Sequence, residues 1–97
     1  MKLLIFLEKS IKKLKMIHNN IEDSIKDIIS NIFKINKNSI NDDFGPNDVE
    51  KWDSLNHLKL CIEIEKHFKI KFEADDIESL INFKIIYETV KMHLEEN

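Results

Sequence analysis

The sequence predicts an all-α fold, a small bundle of four helices. Three observations lead there. Gly and Pro occur once each in 97 residues, so turn punctuation is sparse. Apolar residues make up 42% of the chain and recur at helical spacing through most of it. The single Gly and single Pro both fall in 36–53, which marks one long connection between helical segments. A chain of this length is expected to form one small domain, too short for most self-contained catalytic folds.

Residues 1–16 form a basic head. Five lysines (Lys2, Lys9, Lys12, Lys13 and Lys15) stand against Glu8, a net of +4, which leaves the remainder with 10 lysines against 17 acids, a net of −7. Within the head Leu4, Leu7, Ile11 and Leu14 recur at helical spacing, so the segment reads as a basic amphipathic helix. Three readings stay open: an extra helix packed on the body, a binder of a membrane surface or partner, or an extension before a start at Met16. The boundary is expected at Ile17, with 17–97 as the helical domain.

The first helix of that domain is expected from a cap at Asn19 or Asn20. Glu22 and Asp23 oppose the dipole in its first turn, and Ile21, Ile25, Ile28, Ile29, Ile32 and Ile35 form its apolar face. The loop 36–53 follows, with Ile40, Phe44 and Trp52 expected to pin it to the core. A second helix starts at Asp53 or Ser54 and runs to about Phe68. A short helical turn covers Asp75 to Leu80, and Asn82 caps a last helix holding Phe83, Ile86, Tyr87, Val90 and Leu94. Ile70 and Phe72 alternate with lysines as in a strand, but no second strand exists to pair with them, and a strand is rejected.

Several function classes drop out. The lone Cys61 cannot form an intramolecular disulfide, which fits a reducing, cytoplasmic home. The longest apolar run, Leu3 to Leu7, is far below the roughly 18 residues of a membrane span and below a signal-peptide core of about seven, so neither insertion nor export is expected. Every basic residue is Lys; without Arg, the commonest guanine contact and bidentate phosphate clamps are missing, and the body is acidic. Nucleic acid is therefore not an expected partner, and basic protein surfaces are.

At about 100° per residue the second helix shows two apolar stripes. Leu60, Cys61, Ile64 and Phe68 form one; Leu55, Leu58 and Ile62 form the other. A short helix in a small bundle can be apolar over a wide arc, or the second stripe can stay exposed as a docking surface. Asp53-Ser54-Leu55 stands at the helix start, where a capping role for Asp53 or Ser54 is the plain reading and a phosphate ester on Ser54 the sharper one.

Trp52-Asp53-Ser54-Leu55 at the start of a second helix resembles the phosphopantetheine attachment site of acyl carrier proteins. Residues 20–94 follow that family's order of helix, long loop, Asp-Ser-Leu helix, short third helix and final helix, and the fold implied is the four-helix bundle of acyl-carrier type with an N-terminal helical extension. The resemblance implies a carrier, not an enzyme. Ser54 would receive 4'-phosphopantetheine from coenzyme A through a phosphopantetheinyl transferase, with Asp53 assisting, and would present thioester-bound acyl groups to acyl-activating or acyl-transferring enzymes. Leu55, Leu58, Ile62, Glu63, Asp75 and Asp76 would dock partners, while Cys61, Ile64, Phe68, Ile77 and Leu80 would line an acyl pocket. Asn56, His57, Lys59 and His67 make the second helix less acidic than in carriers of primary fatty-acid synthesis, so the resemblance points to a specialised pathway, with a monomer expected.

Rival chemistries fit less well. His57, Cys61 and His67 lack a fourth zinc ligand, and Cys61 lies on the inward stripe. His57 as a base for Ser54 lacks an orienting acid and an oxyanion site. An EF-hand with Gly45 at its sixth position would need Ile40 and Lys51 as ligands. The alternative from another class is a helical protein-interaction adaptor without a prosthetic group.

Overall fold

A computed structural model describes residues 21–96. Four helices make up the architecture, α1 (21–33), α2 (Ser54–Phe68), α3 (Ala74–Ser79) and α4 (Phe83–Glu96), with no strand among the described residues. The amphipathic head 1–16, its boundary with 17–97 and the cap at Asn19 or Asn20 lie outside the described residues.

One core joins all four elements. α1 buries Ile21, Ile25, Ile29 and Phe33, with Ile28, Ile32 and Ile35 packed at its margin. α2 contributes Leu60, Cys61 and Ile64; α4 contributes Phe83, Ile86 and Val90. Phe33 extends the isoleucine stripe by one turn and was not marked by the isoleucine spacing, yet it supplies the surface on which the loop packs.

Scarcity of glycine shows at the helix ends. Lys34 and Lys69, just past α1 and α2, both sit in the left-handed region at φ 57°. Glycine is the usual residue there, and a side chain costs about 1 kcal/mol. Hydrogen bonds compensate: Ile35 N–H donates to Ser30 O, the Ser30 hydroxyl donates to Ile35 O, and Ile70 N–H donates to Glu65 O.

The one glycine is needed elsewhere, for space. Gly45 has extended backbone, and a methyl group on it would stand 2.3 Å from the Ile81 carbonyl oxygen. That close approach lets the loop 36–53 lie against the entry of α4. There Phe83 N–H donates to Phe44 O at 2.8 Å and Lys84 N–H to Asp42 O at 3.1 Å, while Ile85 N–H donates to the Asn82 side chain at 2.9 Å. The first three N–H groups of α4, which have no partner within the helix, are satisfied by the loop and the cap. The loop itself is shaped by short 3-10 turns at Lys37–Ser39 and Pro46–Asp48 and buries Ile40, Phe44 and Trp52. Lys37 reaches back to Asp23 and Asp27 on α1, and these carboxylates raise its pKa.

The alternation at Ile70 and Phe72 also finds its cause. Both side chains are buried while Lys71 between them is exposed, and Phe72 N–H donates to the Glu65 carboxylate at 2.8 Å instead of to a second strand. α3 is only six residues long and is held by side chains. Asp76 accepts from Glu73 N–H at 3.0 Å and faces His93 Nε2 of α4 at 2.8 Å.

Three outcomes follow from these contacts. Gly45→Ala is expected to lower stability by about 1–3 kcal/mol because backbone, not a flexible side chain, occupies the space, whereas Lys69→Gly is expected to raise it by about 1 kcal/mol; urea unfolding midpoints measure both. Asp76 is held below the usual carboxylate range, first by the Glu73 N–H and then by His93. Its contribution is therefore fully present above the ordinary carboxylate pKa and is lost as pH falls through the lowered one. Thermal melts across acid pH should show that loss in the wild type and a flatter profile in Asp76→Asn.

Candidate functional site

Ser54 is the first residue of α2, and the local sequence explains why the helix begins there. Asp53 is extended and caps the helix, its carboxylate accepting from Asn56 N–H at 2.8 Å while its carbonyl accepts from His57 N–H at 2.8 Å. The Asn56 side-chain amide in turn donates to Lys51 O at 2.6 Å, fixing the last residues of the loop against the first turn. Ser54 is exposed, and its hydroxyl has no partner among the described residues. The N–H groups of Ser54 and Leu55 stand at the positive end of the helix dipole, and neither is used by a loop or cap acceptor. A negatively charged ester on the Ser54 oxygen would meet donors there.

Beside Ser54 lies an open cleft of about 430 Å³ between the first turn of α2 and the end of α3. Trp52, Leu58, Ile77, Leu80 and Ile81 give it apolar walls; Asp53, His57 and Glu78 add polar groups. Of the residues named for an acyl pocket, Ile77 and Leu80 line this cleft. Cys61 and Ile64 are instead sealed in the core, and Phe68 packs at its edge against His67 with ring centroids 4.7 Å apart. Burial, and secondarily the nearby Glu65 charge, push the Cys61 thiol up to about 11, so it is protonated and poorly nucleophilic near neutral pH.

The two stripes of α2 part as the wheel suggests. Leu60, Cys61 and Ile64 face inward, whereas Leu55 is 76% exposed and Leu58 and Ile62 are 49% exposed each. Ile81, 60% exposed in the α3–α4 connection, lies across the cleft and enlarges the apolar surface. Among the acids, Glu63 and Asp75 are exposed, while Asp76 is engaged by Glu73 and His93. No acid stands in the first turn of α2.

His57 has a role that spacing did not reveal. The Trp52 indole N–H donates to His57 Nδ1 at 2.9 Å, and His57 Nε2 lies 2.8 Å from the Ile77 carbonyl oxygen. Because a carbonyl only accepts, Nε2 holds the proton and Nδ1 is bare. One ring thus ties the loop, α2 and α3 together at the cleft. Trp52 is in turn stacked on Phe33 at 4.9 Å and tilted against Phe44 at 6.0 Å. The signal in the sequence was a Trp and a His five residues apart across a helix start, but the second partner of the His is 20 residues further on. Among the described residues no group of three or more His, Cys, Asp or Glu is arranged to hold a metal, and no helix is long and apolar enough to cross a membrane.

No family model matches the chain, and no curated protein sequence matches it. A solved structure does. The chain is similar to the holo acyl carrier protein from Geobacter metallireducens, solved by NMR in solution, with 28% identity and a TM-score of 0.70 over 77% of this chain and 86% of that one. The fold is that of an acyl carrier protein, and the resemblance extends over most of both chains. It supports a carrier role.

Proposed function

We propose that this chain is an acyl carrier protein that bears a 4'-phosphopantetheine arm on Ser54, holds acyl intermediates as thioesters and presents them to partner enzymes outside primary fatty-acid synthesis. The observation that supports it most is an exposed serine hydroxyl at the start of α2, with unused backbone N–H groups and a cleft beside it. The likeness to a holo carrier adds to this.

The residues present suit the group. A phosphodiester on Ser54 gains from the Ser54 and Leu55 N–H groups and from the helix dipole, and the apolar cleft walls suit the arm's extended chain. When bound, the arm supplies a terminal thiol that takes acyl groups as thioesters. Ser54 provides the oxygen that a phosphopantetheinyl transferase joins to the pantetheine-side phosphorus of coenzyme A, its hydroxyl proton being lost as the diphosphate bond breaks and 3',5'-adenosine bisphosphate leaves, and Asp53, exposed beside it, is the acid that assists that transfer. Covalent tethering replaces diffusive capture of the substrate by a high effective concentration at each docked enzyme. The chain therefore needs no catalytic group of its own.

Partner choice rests on the surface around the serine. Leu55, Leu58 and Ile62 supply the apolar contact, and Glu63, Asp75 and Asp76 the acidic one. Lys59 and Lys66 lie on α2, and its first turn holds no acid, so steering toward strongly basic partners is weak. That charge pattern supports acyl-activating or acyl-transferring enzymes of a specialised pathway. It also suits short-lived complexes, since every partner must be released before the next one docks.

Incubation with coenzyme A, magnesium and a broad-specificity phosphopantetheinyl transferase is expected to add one phosphopantetheine mass to the wild type and none to Ser54→Ala, read by intact-mass spectrometry. A folded, initially unmodified wild type that gains no mass with several transferases would leave Asp53-Ser54 as a helix start only and favour an adaptor role for the exposed stripe.

A further inference from the structure

We infer that the Trp52–His57–Ile77 chain of hydrogen bonds is a latch that keeps the carried group in the cleft beside Ser54 and out of the bundle, so that the cargo is a short or polar acyl group rather than a long alkyl chain. The inference deepens the carrier reading and rests on it. A chain hanging from Ser54 and laid between α2 and α3 meets His57, one turn along the same helix. Both ring nitrogens of His57 are occupied, Nδ1 by the Trp52 indole and Nε2 by the Ile77 carbonyl. The ring therefore bridges from α2 to α3 in the wall of the cleft.

The latch is braced from behind. Trp52 is only 5% exposed and is stacked on Phe33 of α1, so His57 cannot swing aside with its partner without opening the α1 contact as well. Further in, Leu60, Cys61 and Ile64 are closed off from solvent. Opening the latch would leave a part-buried indole N–H and a carbonyl without partners. A short or polar chain gains little from burial to set against that cost, and the Trp52–Phe33 stack that must open with the latch raises the cost for a longer one. The cleft outside the latch suits the short or polar cargo: Asp53 and Glu78 stand beside its apolar walls. His57 acts here as a positioning residue through Ile77 and Trp52, and the specificity it confers is one of chain length.

The test loads the full chain, through a phosphopantetheinyl transferase, with coenzyme A analogues whose arm ends in butyryl, hexanoyl or tetradecanoyl amide. Intact mass verifies loading and methyl NMR reads where the chain lies. In the wild type, shifts should stay at Leu58, Ile77 and Ile81 for every length. In tetradecanoyl-loaded His57→Ala they should spread to Leu60 and Ile64. Trp52→Phe, which keeps the aromatic stack but lacks the N–H, should behave like His57→Ala. His57→Gln, with one acceptor and one donor on its amide, should restore the wild-type pattern. Tetradecanoyl shifts at Leu60 and Ile64 in the wild type, or no difference between the wild type and both latch-breaking variants, would overturn the latch while leaving the carrier reading intact. Failure of Ser54 to load at all would instead overturn the carrier reading, and the latch with it.

Discussion

The packing of one indole holds the functional end of this molecule together. Trp52 joins α1 through Phe33, the long loop through Phe44, and α2 and α3 through His57. Burial of its ring supplies non-directional energy, and its N–H supplies direction by selecting which nitrogen of His57 accepts. Truncation of a buried Trp typically costs about 3–5 kcal/mol, a large part of the stability of a small domain. Here the same side chain also decides where the first turn of α2 stands relative to the end of α3. The exposed serine and its cleft inherit that placement.

A rigid support for an exposed, chemically plain serine suits a protein that is acted upon. The Ser54 hydroxyl has no partner, and no metal-binding cluster is arranged, among the described residues. What it has is a fixed position at a helix dipole, a neighbouring acid already used as a cap, and an apolar surface that remains exposed although the core is well filled. Under the proposed carrier role, the exposed Leu55 is a contact kept available for partner enzymes. The acids lie on α3 and the lower part of α2, away from its first turn.

Much of this was legible in the residues. Period-3.6 isoleucines mark α1 and the Asp-Ser-Leu run marks the start of α2. Asn82 marks the cap of α4, because caps and apolar stripes are local signals. The alternation at Ile70 and Phe72 was open to misreading, since alternate burial looks the same whether the backbone N–H groups meet a strand or a glutamate side chain. His57 was legible only as a charge-reducing, ligand-like or base-like residue. Its two partners lie on other elements, and hydrogen bonds to a distant backbone carbonyl leave no periodicity. The closed environment of Cys61 and Ile64 was likewise hidden: helical spacing tells which face they occupy, not whether the neighbouring helix leaves room beside them.

Everything placed at the cleft depends on one tautomer of one ring. Long-range proton–nitrogen NMR of the His57 imidazole in the unloaded chain, with solvent exchange of the Trp52 indole proton recorded on the same sample, tests it directly. The expected spectrum has the proton on Nε2 and a bare Nδ1, with the indole proton protected from exchange. A proton resident on Nδ1, or an indole proton that exchanges as fast as in an unfolded peptide, would contradict the arrangement and detach the cleft from the core.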